Sequence, residues 1–174
     1  MQQLTGEAMK QQALGLSSGL EYEVGSYSNT DELIALAKVA AASGGIYMTH
    51  IRDEADKSFD ALNEEITIGE KAHIPIEHSH IKLGTVGVQG RAAAYIQIIE
   101  AARKRGVDFL ADCYPYDAWH SDLKVTVPDK QYENPRLRLP LRSRRSWQLV
   151  CRQALTTLSK LGLSRARSLH SLFA

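Results

Sequence analysis

The chain has 174 residues, 44% of them apolar and 24% charged, which suits a soluble globular protein with a real core. Its net charge of +1 joins two unlike pieces: residues 1–135 sum to −8, while residues 136–174 hold eight Arg, one Lys and no acid, a balance of +9. No apolar run approaches the roughly 20 residues of a membrane span, and the opening Met1–Glu7 stretch lacks the basic and apolar regions of a signal peptide.

Cys113 and Cys151 lie on opposite sides of the charge division and make no disulfide framework, which fits a reducing compartment and a cytoplasmic location. Phosphate-loop, CxxC and nucleophile-elbow motifs are all absent.

In chain order, residues 13–17 read as a short strand running into a flexible turn at Ser18-Gly19. Asn29 followed by Glu32 has capping-box spacing, and Leu33, Leu36, Ala37 and Ala40 then recur at helical period until Gly44-Gly45. Residues 46–50 form a buried-type strand ending at His50, and a helix follows over about Lys57–Ala72. Pro75 introduces a strand over Ile76–His80, glycines space the next loop, and a helix spans about Arg91–Arg105. Residues 107–111 are the last strand of the series.

Strands beginning near 46, 75 and 107, each pair bridged by one helix, have the rhythm of parallel βαβ units. Both a doubly wound sheet and a (β/α)8 barrel have that rhythm. A complete barrel takes roughly 200 residues or more, so if the fold is a barrel this chain could hold only about half of its βα units, a partial TIM-type barrel.

His50 and His80 both end strands, thirty residues apart. The carboxyl ends of strands form the active face of α/β folds, so adjacent strands can aim both imidazoles at one point. Two neutral imidazoles suit a divalent metal, zinc first. Unrelated, half-exposed strand-end histidines are the plainer reading of the same spacing. His78 is a rival ligand, because residues two apart on a strand share a face; packed deeper against a hydrogen-bond partner, it would be structural instead. His73 follows a helix end and suits a dipole partner there. His120 lies in a loop, and His170 belongs to the basic tail. Tyr114-Pro115-Tyr116 closes the last strand, where the phenols either orient a polar substrate or pack at the rim.

Taken together, Gly15-Leu-Ser-Ser-Gly-Leu-Glu-Tyr22, Thr49-His-Ile-Arg-Asp-Glu54, Ser79-His-Ile-Lys82 and Asp112-Cys-Tyr-Pro-Tyr116 resemble, in order and spacing, the N-acyl-D-amino-acid deacylases (D-aminoacylases) of the amidohydrolase superfamily. The resemblance covers roughly residues 10–135. It implies a zinc-dependent barrel that hydrolyses the amide bond of an N-acyl-D-amino acid, with His50 and His80 on the zinc and Lys82 and Tyr114 holding the substrate. The family's N-terminal HxH pair, its bridging cysteine and its base aspartate have no counterparts here, so no catalytic residue is assigned. The expectation is a central fragment, inactive alone.

Residues 136–174 are dominated by Leu, Arg and Ser, a composition expected of a frame-shifted or disordered segment. Two other classes of function are kept beside the deacylase. One is a non-catalytic module binding metal or an N-acyl amino acid. The other is a nucleic-acid or membrane-surface binder acting through the basic tail. No specific nucleic-acid partner is assigned, and open barrel edges offer a route to self-association.

Overall fold

The structure is a computed structural model that describes residues 1–116 and 120–121. Elements run α1 (Gln2–Lys10), β1 (Gly15–Gly19), α2 (Glu23–Ser26), α3 (Thr30–Ala41), β2 (Ile46–His50), α4 (Ser58–Ala72), β3 (Ile76–His78), α5 (Ala92–Lys104) and β4 (Phe109–Ala111). The four strands form one parallel sheet in sequential order, β1-β2-β3-β4. A doubly wound sheet reverses strand order at a switch point, and the described strands show no reversal. The domain boundary at 135 and the tail beyond it lie outside the described residues.

Helix α3 starts as its sequence dictates: the Asn29 side-chain oxygen accepts from the Glu32 N–H at 2.8 Å. The Pro75 carbonyl, just ahead of β3, accepts from the Tyr47 N–H at 2.8 Å and joins that strand to β2. Helices pack on one face of the sheet through two apolar clusters. Leu33, Ile34, Ala37 and Ala40 of α3 meet Tyr47 of β2 and Ile68 of α4. Leu62 and Ile66 of α4 meet Ile76 of β3, Phe109 of β4 and Tyr95, Ile99 and Ala102 of α5. On the opposite face Ile46 (38% exposed), Met48 (37%) and Leu110 (59%) have little cover among the described residues. Strand β2 therefore alternates rather than being buried throughout as expected: Tyr47 and Thr49 face the helices, while Ile46, Met48 and His50 face away.

The first strand also differs from expectation. Residues 15–19, expected to end in a turn, are the strand itself, paired residue for residue from Gly15↔Ile46 to Gly19↔His50. Gly15 permits this pairing, because a Cβ there would lie 2.1 Å from the Ile46 carbonyl oxygen. Strand β3 stops at His78 instead of continuing to His80. His80 has φ of 44°, and its N–H is taken by the Asp112 carboxylate, so the chain leaves the ladder there. Helix α1 was not foreseen; its apolar residues are sparse, and only Met9 is buried.

Candidate metal centre

The two strand-end histidines meet at the carboxyl edge of the sheet. His50 Nδ1 lies 3.1 Å from His80 Nε2, with ring centroids 4.8 Å apart at 68°. Strand parity alone would have prevented this. His50 shares the uncovered face with Ile46 and Met48, whereas alternation through Ile76 and His78 would send His80 to the helix side. The left-handed backbone at His80 breaks the alternation and brings the ring back over β2.

Each histidine has a carboxylate beside it. His50 Nε2 is 2.7 Å from Glu21 Oε2. Glu54 Oε1 is 3.0 Å from His80 Nδ1 and 3.7 Å from His50 Nδ1. His50, Glu54 and His80 thus bring one donor atom each within 4.8 Å of one another. Lys82 Nζ donates to Glu54 Oε1 at 2.7 Å, lies 2.8 Å from His80 Nδ1, and sits 5.5 Å from the centre of the Tyr114 ring. Lys82 and Tyr114 therefore stand at the same rim as the histidines. Burial, with the Lys82 ammonium next in effect, pushes the His80 imidazole below its ordinary range, while Glu54 opposes the shift. A depressed value keeps the ring neutral at neutral pH, the state in which imidazole ligates a metal. Burial and then Glu54 push the Tyr114 phenol up, so it stays protonated.

The supporting loops are tied to the strands. The Leu20 N–H donates to the His50 carbonyl at 3.0 Å, and the Gly84 N–H to the Glu54 carbonyl at 2.7 Å. A Cβ on Gly84 would lie 2.8 Å from that same oxygen, so a glycine is required for the loop to close over Glu54. Arg52 anchors the loop after β2 by pairing with Glu64 (Nε–Oε2 2.7 Å) and donating to the Ser26 and Ser28 carbonyls. Asp53 accepts from the Ala55 and Lys57 N–H groups at 2.8 and 3.1 Å.

His78 does not join the centre. It is 1% exposed on the helix side, its Nδ1 lies 2.6 Å from Glu65 Oε2, and it packs near Tyr95 and Phe109. The expectation that His78 and His80 share a face fails, because the turn at Ser79-His80 separates them. His73 caps α4 in the left-handed conformation, and His120 is exposed. Tyr114 stacks on Tyr116 with centroids 6.2 Å apart, and Cys113 is an exposed free thiol. Two members of the centre were not singled out as site residues in the sequence: Glu21 and Glu54. Each stands in a loop just past a strand end, a position that was the available signal.

The donor set fits zinc. Two Zn–N bonds of about 2.0–2.1 Å at a tetrahedral angle place the nitrogens about 3.3 Å apart, close to the observed 3.1 Å. Imidazoles and a carboxylate converging at the carboxyl edge of a parallel sheet define an α/β protein with a candidate metal-binding centre.

Known proteins narrow that class. No family model matches the chain. A D-aminoacylase of Alcaligenes xylosoxydans xylosoxydans is 38% identical over 124 residues, covering 71% of this chain and 25% of that protein. An N-acyl-D-glutamate deacylase of Bordetella bronchiseptica superimposes with a TM-score of 0.65 at 35% identity, over 67% of this chain and 24% of that one; its structure is a complex with zinc and a phosphonate mimic of the tetrahedral intermediate. A D-hydantoinase shares the fold at 13% identity with a TM-score of 0.51, over 74% of this chain and 32% of that one. Over about 70% of its own length the chain is similar in sequence and in fold to N-acyl-D-amino-acid deacylases, which are amidohydrolases. It spans about a quarter of the length of the curated relatives it matches.

Proposed function

We propose that this chain carries the central βα units of a (β/α)8 barrel whose function is zinc-dependent hydrolysis of the amide bond in N-acyl-D-amino acids. The carrying observation is the 3.1 Å approach of His50 Nδ1 to His80 Nε2 at the carboxyl ends of neighbouring parallel strands. In this reading the two imidazoles hold the zinc, and Glu54 is the nearest third donor, its carboxylate shared with Lys82. Bound zinc supplies Lewis acidity to the acyl carbonyl and an acidified water as nucleophile.

The chain's own residues then have separate tasks. His50 and His80 present ring nitrogens to the metal position. The Lys82 ammonium and the Tyr114 phenol, at one rim, hold the substrate's oxygen atoms through charge-assisted and neutral hydrogen bonds. Glu54 keeps Lys82 beside the metal position at 2.7 Å. A catalytic zinc usually has three protein ligands and a placed base for its water. The described residues supply two imidazoles and one shared carboxylate, so the reading assigns binding to the 174 residues and turnover to a more complete assembly of the fold.

Zinc titration of the 174-residue chain, with N-acetyl-D-amino-acid hydrolysis measured on the same samples, tests this. The expectation is one tightly bound zinc per chain, held at least about 100-fold more weakly in the His50→Ala and His80→Ala variants, with no turnover. A chain that binds no zinc overturns the metal reading. Zinc-dependent hydrolysis by the chain alone overturns the division between binding and turnover.

A further inference from the structure

His50 has two ring nitrogens with different neighbours, and the difference fixes which of them carries the proton. Nε2 lies 2.7 Å from Glu21 Oε2, and both side chains are largely shielded, at 11% and 10% exposed. A carboxylate only accepts hydrogen bonds, so the facing ring nitrogen must carry the proton. A neutral imidazole has one N–H, which leaves the lone pair on Nδ1. Nδ1 is the atom 3.1 Å from His80 Nε2.

The support of Glu21 is built into the fold. It follows β1 by two residues, at the point where the Leu20 N–H clamps the chain to the His50 carbonyl at 3.0 Å. Tyr22, the next residue, lays its ring 4.7 Å from that of His50, tilted by 43°. The β1–β2 pairing thus delivers a carboxylate to one side of the imidazole and an aromatic ring to its face.

We propose that Glu21 is the positioning residue of the metal centre: it holds His50 as the Nε2–H tautomer and thereby aims the Nδ1 lone pair at the point shared with His80. The consequence for zinc rests on the metal reading above, whereas the tautomer does not. Outer partners of this kind fix the orientation of a ligating imidazole and raise its basicity, and their loss typically weakens metal binding 10–100-fold.

The experiment uses the full chain with 15N-labelled histidine, assigning His50 by comparison with His50→Gln. In the zinc-free protein, the nitrogen shifts are expected to show Nε2 protonated and Nδ1 bare. Glu21→Ala should move His50 to a mixture of tautomers and weaken zinc binding about 10–100-fold by chelator competition, with an unchanged circular dichroism spectrum. Glu21→Gln, whose amide oxygen still accepts from Nε2–H, should keep the wild-type tautomer and recover most of the affinity. Should Glu21→Ala unfold, the wild-type shifts and the Glu21→Gln variant still decide the matter. A wild-type His50 protonated on Nδ1, or a folded Glu21→Ala with wild-type tautomer and affinity, overturns the proposal. A wild-type chain that binds no zinc, yet loses the Nε2–H tautomer in Glu21→Ala, overturns the metal reading and upholds Glu21 only as the residue that fixes the His50 tautomer.

Discussion

His78 and His80 are two residues apart, and each has a carboxylate within 3.0 Å, yet they occupy opposite kinds of environment. His78 lies under the helices at 1% exposure, with Glu65 alongside it at 2%. His80 stands at the rim with His50, Glu54 and Lys82 around it. A buried pair like His78–Glu65 is costly to break and leaves no path for a ligand. A rim cluster gives up packing for access, and its groups converge from separate strands and loops. Residue type does not separate the buried histidine from the rim histidine here; the direction in which the backbone turns after His78 does.

That contrast can be broken most forcefully at the buried pair. His78→Ala leaves the Glu65 carboxylate without its partner and should cost about 3–5 kcal/mol of stability, read as a lower urea midpoint. Zinc affinity of the folded fraction should be unchanged. Replacing both residues together, as His78→Leu with Glu65→Leu, should recover much of that loss, since apolar substitutes often match a buried pair. If His78→Ala instead abolishes zinc binding while the fold survives, the contrast is wrong.

At the rim the effects reverse. His50→Ala and His80→Ala should each weaken zinc binding by at least about 100-fold, beyond the loss typical of an outer partner. Thermal midpoints of the metal-free protein should move little. Equal loss of stability in both regions would erase the distinction.

A smaller effect should appear with pH. Burial pushes the Glu65 carboxyl above its ordinary value of 4.5, with His78 acting in the opposite direction. A raised carboxyl binds its proton more tightly in the folded state, so its contribution to stability falls as pH rises from 4.5 through the folded value. Compared with Glu65→Gln, the wild type should therefore lose stability across that window, as measured by urea midpoints at successive pH values. A constant difference between the two proteins would contradict the assignment. Smallest of all, Asn29→Ala removes the α3 cap and should cost about 1 kcal/mol without altering zinc affinity.

Much of the molecule was legible in its sequence because periodicity and caps are local. Asn29 with Glu32 announced α3, and the helix expected over about Lys57–Ala72 is α4 at Ser58–Ala72. His50 and His80 could be singled out because strand ends in α/β folds collect ligands. The shared face expected of His78 and His80 failed because nothing in Ser79-His80 advertises a left-handed turn; glycine usually does, and here a histidine adopts it. Glu21 and Glu54 lay in loops where no period applies, and their meeting with the imidazoles depends on the β1–β2 and β2–β3 registers. Ser18-Gly19 read as a turn because their Gly and Ser content hides the end of a strand that needs Gly15 for close approach to Ile46.

The central claim is that His50 and His80 together hold one zinc. X-ray absorption at the zinc edge of the loaded 174-residue chain tests it most directly. The account predicts two imidazole nitrogens at about 2.0–2.1 Å, with one imidazole lost in either histidine-to-alanine variant. A spectrum without imidazole scattering, or one with a sulfur at about 2.3 Å as a thiolate such as Cys113 would give, would contradict it.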